Sequence, residues 1–137
     1  MNGFKPVFVD IDLSTLSTSS EEIIKKISKR TLAVFITHAQ GFNGLTDKLL
    51  KYLKKKDISL IEDVCESHGA KHKNSKLGTY GLMSNFSFYY AHHMTTIEGG
   101  MICTNNKSLA IKFKNLSFHG WNRDPWLRHK KSLNMEF

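Results

Sequence analysis

The chain has 137 residues, 40% of them hydrophobic and 23% charged, with a formal net charge of +8, a balance that suits one folded domain of ordinary size. No apolar run approaches the ~20 residues of a membrane helix, and the opening Met-Asn-Gly-Phe-Lys-Pro lacks the apolar core of a secretory signal, so a cytoplasmic chain with no membrane partner is expected. The basic excess admits a phosphate-bearing partner, but lysines such as Lys25, Lys26, Lys54, Lys55 and Lys56 are not interleaved with aromatics; a solvated basic face, with no nucleic acid bound, is the expectation.

In chain order, residues 6–11 (PVFVDI) form a short β-rich run with proline at its start, where a missing donor is tolerated. From 17 to 27 (STSSEEIIKKI), a Ser/Thr cap, early glutamates and apolar residues at helical spacing predict a helix. Residues 32–37 (LAVFIT) are nearly continuously apolar, the mark of a strand buried on both faces. A Gly-Phe-Asn-Gly loop at 41–44 leads into a helix at 46–53 and a strand at 59–64 (SLIEDV). Two more strands are predicted at 86–90 (FSFYY) and 100–104 (GMICT), and a last helix at 108–116 carries Leu109, Ile111, Phe113 and Leu116. Strands alternating with helices imply an α/β fold, a mostly parallel sheet with flanking helices. There are no repeats and no internal boundary. The first strand starts almost at once and the tail WNRDPWLRHKKSLNMEF closes on no element, which reads as the middle of a larger domain. Two cysteines, Cys65 and Cys103, show no disulfide framework and suit a reducing compartment.

In parallel α/β sheets, ligands bind at the carboxyl ends of strands. The strand at 59–63 runs into EDVCESHGA, which places Asp63, Glu66 and His68 at or past that edge, and the strand at 86–90 runs into AHH. Asp63 and His92 are therefore expected above one edge of the sheet. Each feature also has a plainer reading. A carboxylate at a strand end is often a cap, Glu98-Gly99-Gly100 is either a turn or a close backbone approach, and His92-His93 is either a polar turn or an acid/base group. Cys65, His68 and His72 have C-x2-H-x3-H spacing, but Gly69 interrupts a shared helical face and adjacent histidines rarely ligate one ion, so no metal is expected.

Taken jointly, PVFVDID, SLIEDVCESHGA and KLGTYGLMSNFSFYYAHHMTTIEGGMICTN resemble the DegT/DnrJ/EryC1/StrS family of sugar aminotransferases, which use pyridoxal phosphate (PLP). The resemblance runs nearly the whole chain. It implies the central part of the large domain of a type I PLP-dependent transferase, so that residues 1–137 are expected to be a partial PLP-binding domain, truncated at both ends. Asp63 falls on the aspartate that pairs with the cofactor's pyridine nitrogen, where a carboxylate keeps the ring protonated and electron-poor. Glu66 falls where a glutamine is usual, near the ring hydroxyl. Ser87 falls on a serine that bonds the cofactor phosphate. His92 falls on the lysine that ordinarily joins the cofactor covalently.

That last departure matters, because imidazole has no primary amine. A histidine-for-lysine branch of the family removes the C3 hydroxyl of nucleotide-linked 4-keto-6-deoxyhexoses in lipopolysaccharide deoxysugar synthesis, and AHHMTTIEGG looks like that branch. The resemblance then implies the amine form of the cofactor, pyridoxamine phosphate (PMP), with His92 as acid/base and His93 as its supporting neighbour. Imidazole suits both proton transfers, since it titrates near 6.5 when unperturbed. One group in the branch carries an iron–sulfur cluster; its Cys-x-Cys would fall near RDPWLR, where this chain has Pro125, Trp126 and Leu127. The cluster-free type, which regenerates PMP with L-glutamate, is therefore expected, as a homodimer at full length. An aminotransferase of the same family and a non-catalytic remnant are the competing readings.

Overall fold

The computed structural model describes residues 3–117; the RDPWLR stretch weighed against a cluster lies outside them. Two compact units divide the chain, Met1–Cys103 and Thr104–Phe137. The described part of the second is a helix, α3 (Lys107–Ser117), close to its predicted bounds.

The first unit is built on a four-stranded sheet of β3 (Ala33–Thr37), β4 (Ser59–Asp63), β7 (Met83–Ser87) and β8 (Gly100–Cys103), in that spatial order. β3, β4 and β7 run parallel and β8 returns antiparallel, so the sheet is mixed and mostly parallel, as the alternation of elements implied. Two small antiparallel pairs accompany it: β1 (Ile11–Asp12) with β2 (Ser17–Thr18), and β5 (Lys71–His72) with β6 (Ser75–Lys76).

Helix α1 (Ser20–Lys26) starts later than predicted: Ser19 is the cap, its hydroxyl accepting from Glu22 N–H at 3.4 Å, while Ser17 and Thr18 belong to β2. Helix α2 (Asp47–Lys56) is capped by Thr46, whose hydroxyl accepts from Leu49 N–H at 3.2 Å, and ends at Asp57 in the left-handed region (φ 54°). Acidic residues in the first turns and lysines in the last complement both helix dipoles. Leu49 and Leu53, one turn apart, are buried and pack with Ile23, Val34, Ile36, Leu60 and Val64 into one core.

Strand alternation decides which side of the sheet that core covers. Val34, Ile36, Leu60, Glu62 and Ser84 point into it, and the other set stays open or half-buried, with Phe35 59% exposed. The run at 32–37 is thus apolar on both faces but buried on one. The strand expected at 6–11 forms only at Ile11–Asp12, and Phe4, Val7 and Phe8 are exposed. The strand expected at 86–90 is Met83–Ser87, three residues earlier.

Candidate active site

β3 and β4 end in a polar row that β7 joins two residues before its own end. Thr37, Asp63 and Asn85 are register partners across β3, β4 and β7, so their side chains rise from the same face at the carboxyl edge. Asp63 Oδ1 accepts from the Asn85 amide at 2.9 Å and from Cys65 N–H at 3.1 Å, and Oδ2 accepts from the Thr37 hydroxyl at 3.3 Å. All three partners donate, which suits an ionised carboxylate. The strand-end position expected of Asp63 is the observed one.

Glu66 lies in the turn after β4, where its Oε2 accepts from Gln40 N–H at 3.1 Å, and Gln40 sits in the left-handed region (φ 53°). Glu66 therefore ties the 39–41 turn to the sheet edge. Ser87 closes β7, and its hydroxyl accepts from Tyr89 N–H at 3.2 Å. The Ser87 O–H hydrogen is thereby directed elsewhere, as an anion-binding hydroxyl requires.

His92 sits in the arch between β7 and β8. Its backbone N–H donates to Tyr89 C=O at 3.0 Å, and its ring stands edge-on to the Tyr89 ring, 5.8 Å between centroids. The residue is half-buried, and its Nδ1 is buried without a hydrogen-bond partner. The arch is pinned near its feet by Phe88 N–H to Gly99 C=O at 2.8 Å and Thr96 N–H to Phe88 C=O at 2.9 Å. Gly99 is needed for close approach: a Cβ there would strike the Thr96 hydroxyl. Positive φ in this turn falls instead on Ile97 (φ 72°).

His93 is exposed, and the ring it meets is that of His68, 5.6 Å away. His68 also packs on Phe86 and Phe88, with its Nε2 buried and unpartnered. Burial holds its imidazole below the ordinary value, and the nearby His93 and His92 push the same way. The metal spacing does not converge. Cys65 accepts from the Asn85 amide at 3.2 Å, His68 lies among aromatics, and His72 bridges Asn43 (2.9 Å) and Asp47 (3.1 Å). Among the described residues no three His, Cys, Asp or Glu side chains are grouped to hold an ion.

Beneath the row lies a cluster that the sequence did not announce. Glu62 is fully buried, and its carboxylate accepts from the N–H groups of Gly78 (2.8 Å), Tyr80 (2.8 Å) and Gly81 (2.7 Å). Buried His38 completes the set through Nε2 at 3.3 Å, while its Nδ1 accepts from Gly44 N–H at 3.1 Å. Since Nδ1 must be bare to accept, the proton is on Nε2 and points at Glu62. Burial pushes the Glu62 carboxyl up, but the four donors outweigh it and leave it below the usual range. Missing from the sequence reading were Asn85, Thr37, Glu62 and His38. The available signal was Glu62 itself, a charge at an inward-facing position of an apolar strand, which requires a partner.

Pyridoxal or pyridoxamine phosphate asks for a carboxylate toward a ring N–H, a hydroxyl toward a phosphate, and an acid/base near the reacting carbon. Asp63 keeps acceptor capacity on Oδ2, Ser87 keeps its hydroxyl hydrogen, and His92 keeps a nitrogen with no bond to give up. The donor set fits the group.

Comparison with known proteins agrees. A sequence profile of the DegT/DnrJ/EryC1/StrS aminotransferase family matches residues 1–136. An uncharacterized protein of Methanocaldococcus jannaschii is 43% identical over 125 residues, 91% of this chain and 32% of that one. The GDP-4-keto-6-deoxy-D-mannose 3-dehydratase of Escherichia coli O55:H7 is 37% identical over 122 residues, 89% of this chain and 31% of that one. Among solved structures, the E. coli dehydratase with bound hydrated PLP superposes with a TM-score of 0.80 at 38% identity, covering 85% of this chain and 30% of that one. The chain thus spans about a third of the length of the curated relatives it matches.

Proposed function

The chain belongs to the DegT/DnrJ/EryC1/StrS aminotransferase family, and from that premise we propose that it carries part of the site of a PMP-dependent sugar 3-dehydratase. The substrate class is a nucleotide-linked 4-keto-6-deoxyhexose, and the outcome is loss of the C3 hydroxyl, in lipopolysaccharide deoxysugar synthesis. The residue at position 92 carries the reading: an imidazole on the arch at the carboxyl edge, where the family's lysine is expected. Similarity to GDP-4-keto-6-deoxy-D-mannose 3-dehydratases supports it.

When bound, PMP would supply an amine that joins the sugar ketone and a ring that takes up the electron pair freed by proton removal and gives it back as the C3 hydroxyl departs. Asp63 would accept the ring N–H at Oδ2 and hold it protonated. Ser87 would donate its hydroxyl hydrogen to the phosphate, and Glu66 would serve the ring hydroxyl. His92 takes a proton with an imidazole nitrogen and returns it to the leaving hydroxyl, serving as base and then acid. L-Glutamate restores the amine between turnovers, and the site is completed by the remainder of a full-length homodimer. Cytoplasmic location follows from the substrate class, and both Cys65 and Cys103 are free thiols.

The direct test is titration of the purified chain with PLP and then PMP, read by absorbance and fluorescence. Saturable binding that Asp63→Ala abolishes, with no borohydride-trapped lysine adduct, is the expected result. A trapped adduct in the wild-type chain, or transfer of an amino group retained on the sugar by a full-length relative with histidine at this position, returns the protein to the aminotransferases. His92→Lys should create the trappable adduct.

A further inference from the structure

Resting on the reading of Asp63 as the ring-nitrogen partner, we propose that Asn85 is the positioning residue for that carboxylate, deciding which of its oxygens a ligand meets. Asp63 and Asn85 are direct partners across the parallel β4–β7 pair. The Asn85 Nδ2 donates to Asp63 Oδ1 at 2.9 Å and to Cys65 Sγ at 3.2 Å. A carboxylate offers no hydrogen, so the amide nitrogen faces it, and both amide hydrogens are spent on the two neighbours.

The two oxygens of Asp63 are therefore unlike. Oδ1 has two donors, the Asn85 amide and Cys65 N–H at 3.1 Å, whereas Oδ2 has the Thr37 hydroxyl at a longer 3.3 Å. Rotation of the carboxylate would break two bonds to free one. Asn85 thus holds Asp63 with Oδ2 as the oxygen left to accept. Cys65 steadies the other side of the amide without competing as an anion. Burial, then the bond and charge of Asp63, push its thiol up to about 11, and Asn85 opposes the rise.

The experiment uses the whole chain in four forms, wild type, Asp63→Ala, Asn85→Leu and Asn85→Ser, each checked for folding by circular dichroism. PLP and PMP are titrated by absorbance and fluorescence. Both Asn85 variants are expected to bind about tenfold more weakly, the loss of one charge-assisted bond, with a displaced absorbance maximum for bound PLP. Wild-type affinity and spectrum in folded Asn85 variants, while Asp63→Ala loses binding, would overturn the positioning role and leave the cofactor reading intact. Unaltered binding by Asp63→Ala would overturn both.

A second readout needs no cofactor. In a Cys103→Ser background, Cys65 alkylation near pH 9 should slow in Asn85→Leu, which lacks a donor to the thiolate. It should quicken in Asp63→Asn, which lacks the raising charge. Equal rates in all three chains would sink the shared-amide geometry.

Discussion

Glu62 and Asp63 are neighbours in sequence with opposite duties, because alternate residues of a strand face opposite ways. The strand-end position of Asp63 was legible in the sequence. Glu62 was not, since its four partners come from segments far away in sequence, 38 and 78–81. Asn85 was hidden for a related reason: its role depends on the β4–β7 register, which no local pattern states. Glu62→Gln should cost about 3 kcal/mol, since either amide orientation turns an NH2 group toward two of the four donors; urea unfolding at pH 7 measures it. The sign with pH follows from the lowered carboxyl. Its folded-state pKa lies below the ordinary value of 4.5, so its contribution is complete above that value and lost as pH falls through the folded one. The stability gap between wild type and Glu62→Gln should accordingly narrow in unfolding curves taken below pH 4.5.

Elements with local instructions were read well. β3 and β4 announced themselves as apolar runs, and α2 and α3 by apolar spacing, with a Thr46 cap at the start of α2. Removing that cap in Thr46→Ala should cost about 1 kcal/mol in thermal or urea unfolding. β7 was displaced by three residues because Phe86, Phe88, Tyr89 and Tyr90 look more strand-like than Met-Ser-Asn, yet Ser84 is buried on the core face and Asn85 bonds Asp63 on the half-buried one. β2 went unseen and β1 keeps only the end of the strand expected at 6–11, each being two residues long and joined by a turn in which Asp12 accepts from Ser14 N–H and O–H. The 78–81 turn is packed tightly. Gly78 has φ +88°, and a Cβ there would lie 3.0 Å from Val64 and 3.2 Å from both Ser84 and Phe86. Gly78→Ala should destabilise by about 2 kcal/mol through strain and crowding, seen as a lower urea midpoint.

Across the first unit as a whole, the two faces of the sheet differ in what they contribute. One carries the core, and the other ends in the Thr37–Asp63–Asn85 row. Leu49→Ala, at a fully buried site, should cost about 3 kcal/mol, whereas Phe35→Thr on the open face should change stability by no more than about 0.5 kcal/mol; equilibrium unfolding of both separates the faces. Family membership was legible because a site requires several residues in fixed order, whereas the α/β alternation by itself names no chemistry.

The arch from 88 to 99 departs from Ser87 and returns at Gly100, and those two residues are partners in the β7–β8 ladder. Both feet thus rest on one rung, so the span between them bears no load for the rest of the sheet. His92 is a guest on that span, touching Tyr89 and lending no side-chain hydrogen bond to the frame. Such a position works as a socket: the side chain fitted there can be exchanged while the sheet's ladder stands, and His92→Lys should leave the urea midpoint close to that of the wild type.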